Sequence, residues 1–396
     1  MRQRGLISKY IYTMLAFLCI ASCNRIEEDT PFYDRTVLIY MAAENSLSQF
    51  YYEDIEEIQL AANKIPYNSR MLVYIDDSSL PRILSIEKQE GRRPACTEYK
   101  FDSEHDSGSA ETLRLVMEWM HAHAPSASYG LVMWSHGTGW IPAKAPAQRA
   151  VCQDVKSKSW MEIADIANVL NSFEPLEFIM FDACFMQSIE VAYELRKSTH
   201  YIIASPAEIP GPGAPYHRIM APMFSFPLNA ESIIEEYYRE YADNKIYVGG
   251  NSNDYFGVCL SVVDCSKLEQ LAAVTEEINT KHIGQGKSGN TDGVQRYYPL
   301  TRPTMPEHYD MNDYMLSQST DAADHNSWQS AFEEAVPYKR STPTWYSDYT
   351  HSMLPIDTVN YGGISCYIPK TSRTALNENF RSTSWYKASG WQQIGW

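Results

Sequence analysis

Short apolar runs alternate with amphipathic segments through the first 250 residues of this 396-residue chain. The runs of strand length are Thr36–Ala42, Met71–Ile75, Leu131–Trp134, Phe178–Phe181 and Tyr201–Ala204. Continuous apolar runs are typical of strands that are buried on both faces of a parallel sheet. The segments between them carry apolar residues at helical spacing, and this order predicts βαβ units. We therefore expect an α/β fold with a mostly parallel sheet and helices on both of its faces.

Local patterns predict individual elements in more detail. Glu44 to Asn63 resembles a helix with Ile55, Ile58 and Leu60 on its apolar side, and Arg82–Ile86 with Thr97–Phe101 resembles a hairpin near a sheet edge. The sequence Ser159-Trp160-Met161-Glu162 has the capping-box pattern that begins a helix. Tyr361 to Ile368 is expected to form the last strand.

The amino terminus has the pattern of an export signal. Arg2, Arg4 and Lys9 precede an apolar run that is too short to span a bilayer, since a spanning helix needs about 20 apolar residues. The run ends in Ile20-Ala21-Ser22-Cys23, which resembles a bacterial lipobox and implies cleavage before Cys23 and a lipid on that residue. We expect a protein of the cell envelope, anchored by lipid to a bacterial membrane. The alternative is an ordinary cleaved signal with an incidental Cys.

The pattern along the chain suggests four parts. Residues 1–22 are the signal peptide and residues 23–33 a polar, acidic tether. Residues 34–250 form the α/β domain, and residues 251–396 form a mixed α/β accessory region. The aromatic residues of the tail from Asn377 to Trp396 are expected to pack back onto the body.

Charge and cysteine usage exclude several classes of protein. The chain has 33 basic and 49 acidic residues, a net charge of −16, which opposes non-specific binding to nucleic acid. The eight cysteines are scattered and include no CxxC pair, so neither a zinc ribbon nor a disulfide framework is indicated. HExxH, GxSxG and GxxxxGK[ST] patterns are absent from the sequence.

Two apolar runs deliver a reactive side chain just beyond their ends. His136 follows the run ending at Trp134, and Cys184 follows the run ending at Phe181. Ligands of open α/β sheets bind beyond the carboxyl ends of the strands. A thiol and an imidazole that meet there can act as a nucleophile and its proton acceptor. A helix beginning directly after Cys184 would favour its thiolate. Taken singly, each residue has a plainer interpretation: an inert buried Cys and a His in a turn.

Backbone N–H groups are the usual stabilisers of a tetrahedral oxyanion. Gly137 lacks a side chain and lets its backbone approach a ligand closely. The N–H groups of Gly137 and Cys184 are therefore the candidates for an oxyanion hole.

The surrounding motifs resemble the clostripain family of cysteine peptidases. They are Trp134-Ser135-His136-Gly137-Thr138-Gly139-Trp140, Phe181-Asp182-Ala183-Cys184, Leu38-Ile39-Tyr40-Met41-Ala42-Ala43-Glu44-Asn45, Ala204-Ser205-Pro206-Ala207-Glu208 and Tyr361-Gly362-Gly363-Ile364-Ser365-Cys366-Tyr367-Ile368-Pro369. The resemblance implies a caspase-like α/β fold. It also implies hydrolysis of peptide bonds by a Cys/His dyad, with Cys184 and His136 in those roles.

The resemblance also raises questions of specificity and maturation. The family often has an acid in the loop that corresponds to Gly211-Pro212-Gly213, where this chain has Pro212. Asp182 and Glu208 are acids that would line a substrate-binding pocket, or would serve only as structural hydrogen-bond acceptors. The family also tends to mature by cleavage after the histidine, for which Lys144-Ala145 and Arg149-Ala150 are candidate sites.

These observations together predict an exported, lipid-anchored cysteine endopeptidase that acts on peptides or proteins. Its partners are the substrate and the membrane, reached through the lipid, with no nucleic acid. No metal or other cofactor is expected, and a need for calcium is not readable from the sequence. The alternative is a non-catalytic surface protein that keeps the peptidase fold and binds peptides or glycans in its cleft.

Overall fold

The computed structural model describes residues 31–88, 94–141, 150–249, 254–300 and 305–396. The predicted signal peptide and Cys23 lie outside these ranges, as do the candidate cleavage sites at Lys144 and Arg149. Residues Phe32–Trp396 form one compact unit. No helix in the described ranges is both long enough and apolar enough to cross a membrane.

A nine-stranded sheet is the centre of the fold. The described residues form fifteen strands, nine of them in this sheet: β1 (Arg35–Ala42), β2 (Ser69–Asp76), β3 (Arg82–Glu87), β4 (Ala95–Lys100), β5 (Tyr129–Trp134), β6 (Val151–Asp154), β7 (Ser159–Met161), β8 (Leu176–Asp182), β9 (Thr199–Ala204), β10 (Cys259–Asp264), β11 (Tyr309–Asp310), β12 (Tyr338–Ser341), β13 (Thr344–Ser347), β14 (Ser352–Pro355) and β15 (Ser365–Cys366). The order in the main sheet is β12-β10-β9-β8-β5-β1-β2-β3-β4. The strands from β9 through β8, β5 and β1 to β2 are parallel, and the outer strands are antiparallel. Three two-stranded sheets, β6-β7, β11-β15 and β13-β14, lie outside it.

Helices cover both faces of the main sheet. They are α1 (Tyr51–Ala61), α2 (Ala110–His123), α3 (Ile163–Leu170), α4 (Ile189–Leu195), α5 (Tyr216–Met223), α6 (Ala230–Asp243), α7 (Leu268–His282), α8 (Met311–Gln318), α9 (Ala322–Ala335), α10 (Thr374–Arg381) and α11 (Ser384–Ala388), with short 3₁₀ turns at Ala62–Lys64 and Cys265–Lys267. One core contains side chains of α1, α5 and α6, and the other contains side chains of the remaining helices.

The pleat of β1 explains why two cores form. Every residue of β1 is buried. Val37 and Ile39 pack in the core with α1, whereas Leu38 and Tyr40 pack in the core on the opposite face. Because successive side chains of a strand point to opposite faces, an unbroken apolar run contributes apolar side chains to both cores.

Several local predictions were wrong. The helix expected over residues 44–63 spans only Tyr51–Ala61, and Leu60 on it is 78% exposed. The capping-box segment forms β7 instead, which pairs with β6, and α3 begins at Ile163. Of the last predicted strand, only Ser365–Cys366 is extended and paired, with β11. The hairpin of β3 and β4 at the sheet edge is confirmed.

The carboxyl-terminal third is joined closely to the sheet. Strands β10 and β12, from the predicted accessory region, extend the main sheet beyond β9. The prediction that the aromatic tail packs back is confirmed, because Phe380, Trp385 and Trp391 are buried in the larger core. The domain boundary between residues 250 and 251 stays a prediction.

Candidate active site

The register of two neighbouring parallel strands brings the segments that carry the predicted nucleophile and base to the same edge of the sheet. In the pairing of β5 with β8, Trp134 lies opposite Asp182. His136 and Cys184 are each two residues beyond this pair, at the same edge of the sheet. Adjacent strands are about 4.8 Å apart, so the two segments emerge side by side.

Gly137 packs directly against the segment that carries Cys184. A Cβ atom at position 137 would lie 2.6 Å from the carbonyl oxygen of Cys184 and 3.0 Å from the Sδ of Met186. Any side chain at this position would therefore force the two segments apart. The oxyanion role of the N–H groups of Gly137 and Cys184 stays a prediction, since it depends on the position of a bound carbonyl oxygen.

His136 is held by a residue that the sequence patterns did not indicate. Its Nε2 lies 2.8 Å from the Oγ of Ser46, in the loop after β1. Its ring centroid is 6.4 Å from that of Trp160 on β7. Burial lowers the pKa of His136 below its ordinary value of 6.5, so the imidazole is neutral at pH 7 and able to accept a proton.

Cys184 keeps part of its surface accessible, but protein atoms surround the sulfur closely. This desolvation raises the pKa of the thiol to about 12, and the nearby charge of Glu208 adds to the increase. The backbone N–H of Ile209 donates to the sulfur at 3.3 Å and acts in the opposite direction. The expected helix directly after Cys184 is absent, because α4 begins only at Ile189 with Ser188 as its N-cap. Cys184 is therefore not in the first turn of α4, where the helix terminus would stabilise its thiolate.

The backbone after Cys184 takes a conformation that most residues avoid. Phe185 has φ 63°, in the left-handed region. Its N–H donates to the carbonyl of Ala207, and its ring stacks on His308 with centroids 4.9 Å apart. His308 also lies 3.1 Å from where a Cβ atom of Gly139 would stand. His308 thus contacts both the segment that follows His136 and the segment that follows Cys184. No local sequence pattern indicated this packing.

The two predicted substrate-binding acids are both buried, and they have different hydrogen-bond partners. Asp182 accepts hydrogen bonds from the N–H of Ala214 at 3.1 Å and the hydroxyl of Tyr216 at 3.0 Å. Burial raises the pKa of its carboxyl group. Its contacts are those of the structural alternative, and its role in binding substrate stays a prediction.

Glu208 lies beside the hairpin of β13 and β14. It is 6% exposed, and its Oε1 accepts the N–H of Tyr349 at 3.3 Å. Burial raises the pKa of Glu208 to about 7, and this effect exceeds the opposing hydrogen bond from Ser347. Glu208 also precedes Ile209, whose N–H donates to the Cys184 sulfur, and the charge of Glu208 raises the pKa of that thiol.

Comparison with known proteins places this geometry in a family. The sequence profile of the clostripain family matches residues 39–396. The chain is 25% identical over 217 residues to clostripain from Hathewaya histolytica, a match that covers 46% of this chain and 41% of that protein. The chain thus spans about two-fifths of the length of that curated relative.

Solved structures agree over nearly the whole chain. A secreted C11 cysteine protease from Bacteroides thetaiotaomicron, in complex with an irreversible peptide inhibitor, has 31% identity and a TM-score of 0.80, covering 91% of this chain and 99% of that one. An inactive zymogen C11 protease from Parabacteroides distasonis has 31% identity and a TM-score of 0.76, covering 90% and 98%. The predicted fold class, a mostly parallel α/β sheet flanked by helices, is confirmed. By sequence and fold, the chain belongs to the clostripain family of cysteine peptidases.

Proposed function

We propose that the chain is a cysteine endopeptidase in which Cys184 is the nucleophile and His136 is the general base and acid. The observation that supports this assignment is the β5–β8 register, in which Trp134 pairs with Asp182. His136 and Cys184 each follow two residues after that pair, at one edge of the sheet. Family membership supports the same assignment. The substrate is a peptide or protein.

The protonation states suggest how the reaction begins. Cys184 is a thiol and His136 is neutral at pH 7, so the sulfur transfers its proton to the imidazole as it attacks the carbonyl carbon. The N–H groups of Gly137 and Cys184 stabilise the resulting oxyanion. The imidazolium then gives its proton to the leaving amine, and a thioester remains. Water attacks the thioester after losing a proton to His136, which releases the acid and restores the thiol.

Alkylation and substitution at one residue test this proposal. Iodoacetamide is expected to label Cys184 stoichiometrically. The protein's ability to cleave a peptide library should be lost to the same extent as Cys184 is labelled. Cys184→Ala is expected to abolish turnover and leave the melting temperature nearly unchanged. Cys96, which is exposed, provides the matched control: Cys96→Ala should retain full activity. Full cleavage by Cys184→Ala would refute the assignment, and binding of peptides without cleavage by the wild-type chain would favour a non-catalytic surface protein.

We further propose that Asp182 and Glu208 line the substrate-binding site. The positions of both acids support this: Glu208 precedes Ile209, whose N–H donates to the Cys184 sulfur at 3.3 Å, and Asp182 ends the strand two residues before Cys184. Glu208→Gln is then expected to raise KM for basic peptides more than it lowers kcat. An unchanged cleavage profile in that variant would leave Glu208 as a purely structural group.

Export, anchoring and maturation complete the proposal. The relative from B. thetaiotaomicron is described as secreted, which supports an envelope or extracellular location for this chain. Mass spectrometry of the protein from a bacterial membrane fraction should find a lipid on Cys23 and a new amino terminus at Ala145 or Ala150. Cys184→Ala provides the control, since it should keep the lipid and lose any self-cleavage. A wild-type chain that is uncut between Ile141 and Gln153 would contradict the maturation step.

A further inference from the structure

An acidic cavity lies between α3, α4 and the turn that joins α10 to α11. Glu162, Glu190 and Glu194 line it, and Trp140 and Ile163 form its apolar part. The space open to the centres of water-sized spheres is about 80 Å³. One water needs about 10–15 Å³, so the cavity accommodates a group of several heavy atoms. Its lining includes none of the residues assigned above to the reaction or to substrate binding.

Glu190 lines this cavity with one carboxylate oxygen that lacks a partner. The residue is 2% exposed, and its Oε1 accepts the N–H of Tyr367 at 2.7 Å. Its Oε2 is buried and has no hydrogen-bond partner among the described residues. Burial raises the pKa of Glu190 to about 7, an effect larger than that of the opposing hydrogen bond from Tyr367. Buried polar groups without a partner are rare and costly, so this arrangement requires a cause.

The other two acids of the cavity add negative charge that no protein cation compensates. Glu162 and Glu194 are partly buried. The Oε2 of Glu194 accepts the N–H of Ser384 at 3.3 Å, whereas Glu162, the N-cap residue of α3, makes no side-chain capping bond. Within the described ranges, no Lys, Arg or His nitrogen lies within 4.0 Å of any of the three carboxylates. A bound cation would therefore relieve an uncompensated repulsion.

We propose that this cavity binds a guanidinium group, carried by an arginine side chain or by a small guanidino compound. A single metal ion does not fit, because the oxygens of these three described carboxylates do not all lie within 4.8 Å of one another. A guanidinium directs five N–H donors outward in one plane, each to an oxygen about 2.9 Å away, so it bridges more widely spaced carboxylates. Trp140 and Ile163 provide apolar surface for the stem that carries the group.

The bound group would join α4 to the carboxyl-terminal part of the chain. Both acids of α4 already accept N–H groups from that part: Glu190 from Tyr367, and Glu194 from Ser384 at the start of α11. A cation held between these acids and the α10–α11 turn therefore strengthens the packing of the tail against α4. The binding itself does not rest on the proposed function, because no step of it uses the thiol or the imidazole.

Binding is measured with the full chain carrying Cys184→Ala, by calorimetric titration with N-acetylarginine amide at about pH 8, where Glu190 is mostly ionised. At about a hundredfold excess over Kd, the melting temperature should rise by about 3 °C. Glu190→Gln keeps an oxygen for the N–H of Tyr367 and should weaken binding about tenfold or more. Glu162→Gln, at a residue with no cap bond to lose, should also weaken it. Glu174→Gln, at an exposed position outside the cavity, removes the same charge and should leave binding unchanged.

Each other outcome overturns a defined part of the proposal. Absence of binding at millimolar ligand, or unchanged binding in both Glu190→Gln and Glu162→Gln, overturns the site. Binding that is lost in Glu208→Gln but kept in Glu190→Gln lies in the substrate cleft and overturns it too. Equal or tighter binding of N-acetyllysine amide overturns the choice of a guanidinium.

A second ligand distinguishes the two sources of the group. Equal affinity for an end-blocked Gly-Gly-Arg-Gly-Gly peptide supports an arginine side chain of a peptide or protein. Binding of the amino-acid derivative alone supports a free guanidino compound. Binding of either ligand by a wild-type chain that never cleaves peptides would sink the proposed function and leave the cavity site intact.

Discussion

The surroundings of Cys184 and His136 favour the uncharged form of each group. Burial opposes the thiolate and the imidazolium alike, so the pKa of the thiol rises while that of the imidazole falls. An ion pair would require the opposite shifts. In the proposed mechanism, the free protein therefore holds Cys184 as a thiol and His136 as a neutral imidazole, and charge develops only when a substrate carbonyl is attacked.

This arrangement predicts a distinctive pH dependence. The rate of alkylation of Cys184 by iodoacetamide should rise about tenfold per pH unit between pH 7 and 10, because the thiolate fraction does so below the pKa of about 12. kcat/KM should reach half of its plateau below pH 6.5, since the lowered pKa keeps His136 neutral at lower pH. Quench-flow labelling and steady-state kinetics measure the two curves. Cys184→Ala gives the background from Cys96, and an alkylation rate that is level from pH 5 to 8 would indicate an ion pair instead.

Single residues mark where inference from sequence succeeds and where it fails. The placement of His136 and Cys184 beyond neighbouring strands could be predicted because each follows an apolar run, whereas their catalytic roles stay a prediction. Leu60 was assigned to the buried side of α1 beside Ile58, but residues two apart on a helix point about 200° apart, so only Ile58 is buried. Ser46 and His308 reach the site through contacts with residues far along the chain, which no local pattern reveals.

At the scale of elements, the close contact between β5 and β8 depends on a glycine in β5. Gly130 lies opposite Phe178, and a Cβ atom on it would be 2.4 Å from the Cε1 of that ring. Phe178 is fully buried, so its ring has little space into which to move. The glycine thus lets a large aromatic ring lie across the strand pair.

Gly130→Ala is therefore expected to destabilise the protein by about 1–3 kcal/mol through overpacking. Urea denaturation followed by tryptophan fluorescence measures the change. Gly284→Ala is the matched control, since its Cβ would meet only the Cγ of Lys287 at 3.5 Å. The second substitution Phe178→Leu in Gly130→Ala should restore part of the loss. Equal stability of Gly130→Ala and the wild type would mean that the strands separate there at little cost.

Elements with strong apolar patterns could be predicted, and elements that depend on a distant partner could not. The central strands were identified because burial on both faces leaves a continuous apolar run. Ser159–Met161 has the residues of a helix start, yet it pairs with Val151–Asp154 and forms a strand. Ser365–Cys366 is extended only where Tyr309–Asp310 lies beside it. Pairing of this kind overrides local preference.

At the scale of the whole molecule, the carboxyl-terminal third shares its core with the strands that carry the active site. Trp391 and Phe380 lie in the same core as residues of β5 and β8. Strands β10 and β12 continue the main sheet. The sequence pattern predicted a boundary at residue 250 but did not indicate that the chain returns to the same sheet, because sheet order depends on long-range contacts. We therefore expect a fragment of residues 34–250 to fold less stably than the whole chain.

Trp391→Ala should expose this dependence. Loss of a buried Trp is expected to cost about 3–5 kcal/mol, and labelling of Cys184 should begin at the same lowered urea concentration as the change in fluorescence. Leu60→Ala, at an exposed position, serves as the control and should change neither midpoint. Labelling of Cys184 that keeps its wild-type midpoint in Trp391→Ala would show that the two regions unfold independently.

The pairing of β5 with β8 also bears on how such an enzyme can diverge. The strands that precede His136 and Cys184 are joined by main-chain hydrogen bonds, which every amino acid except proline can donate. Loops that do not contact these two segments can therefore change in length and composition while the strand pair stays the same. New selectivity can arise by replacement of those loops while the chemistry is inherited unchanged.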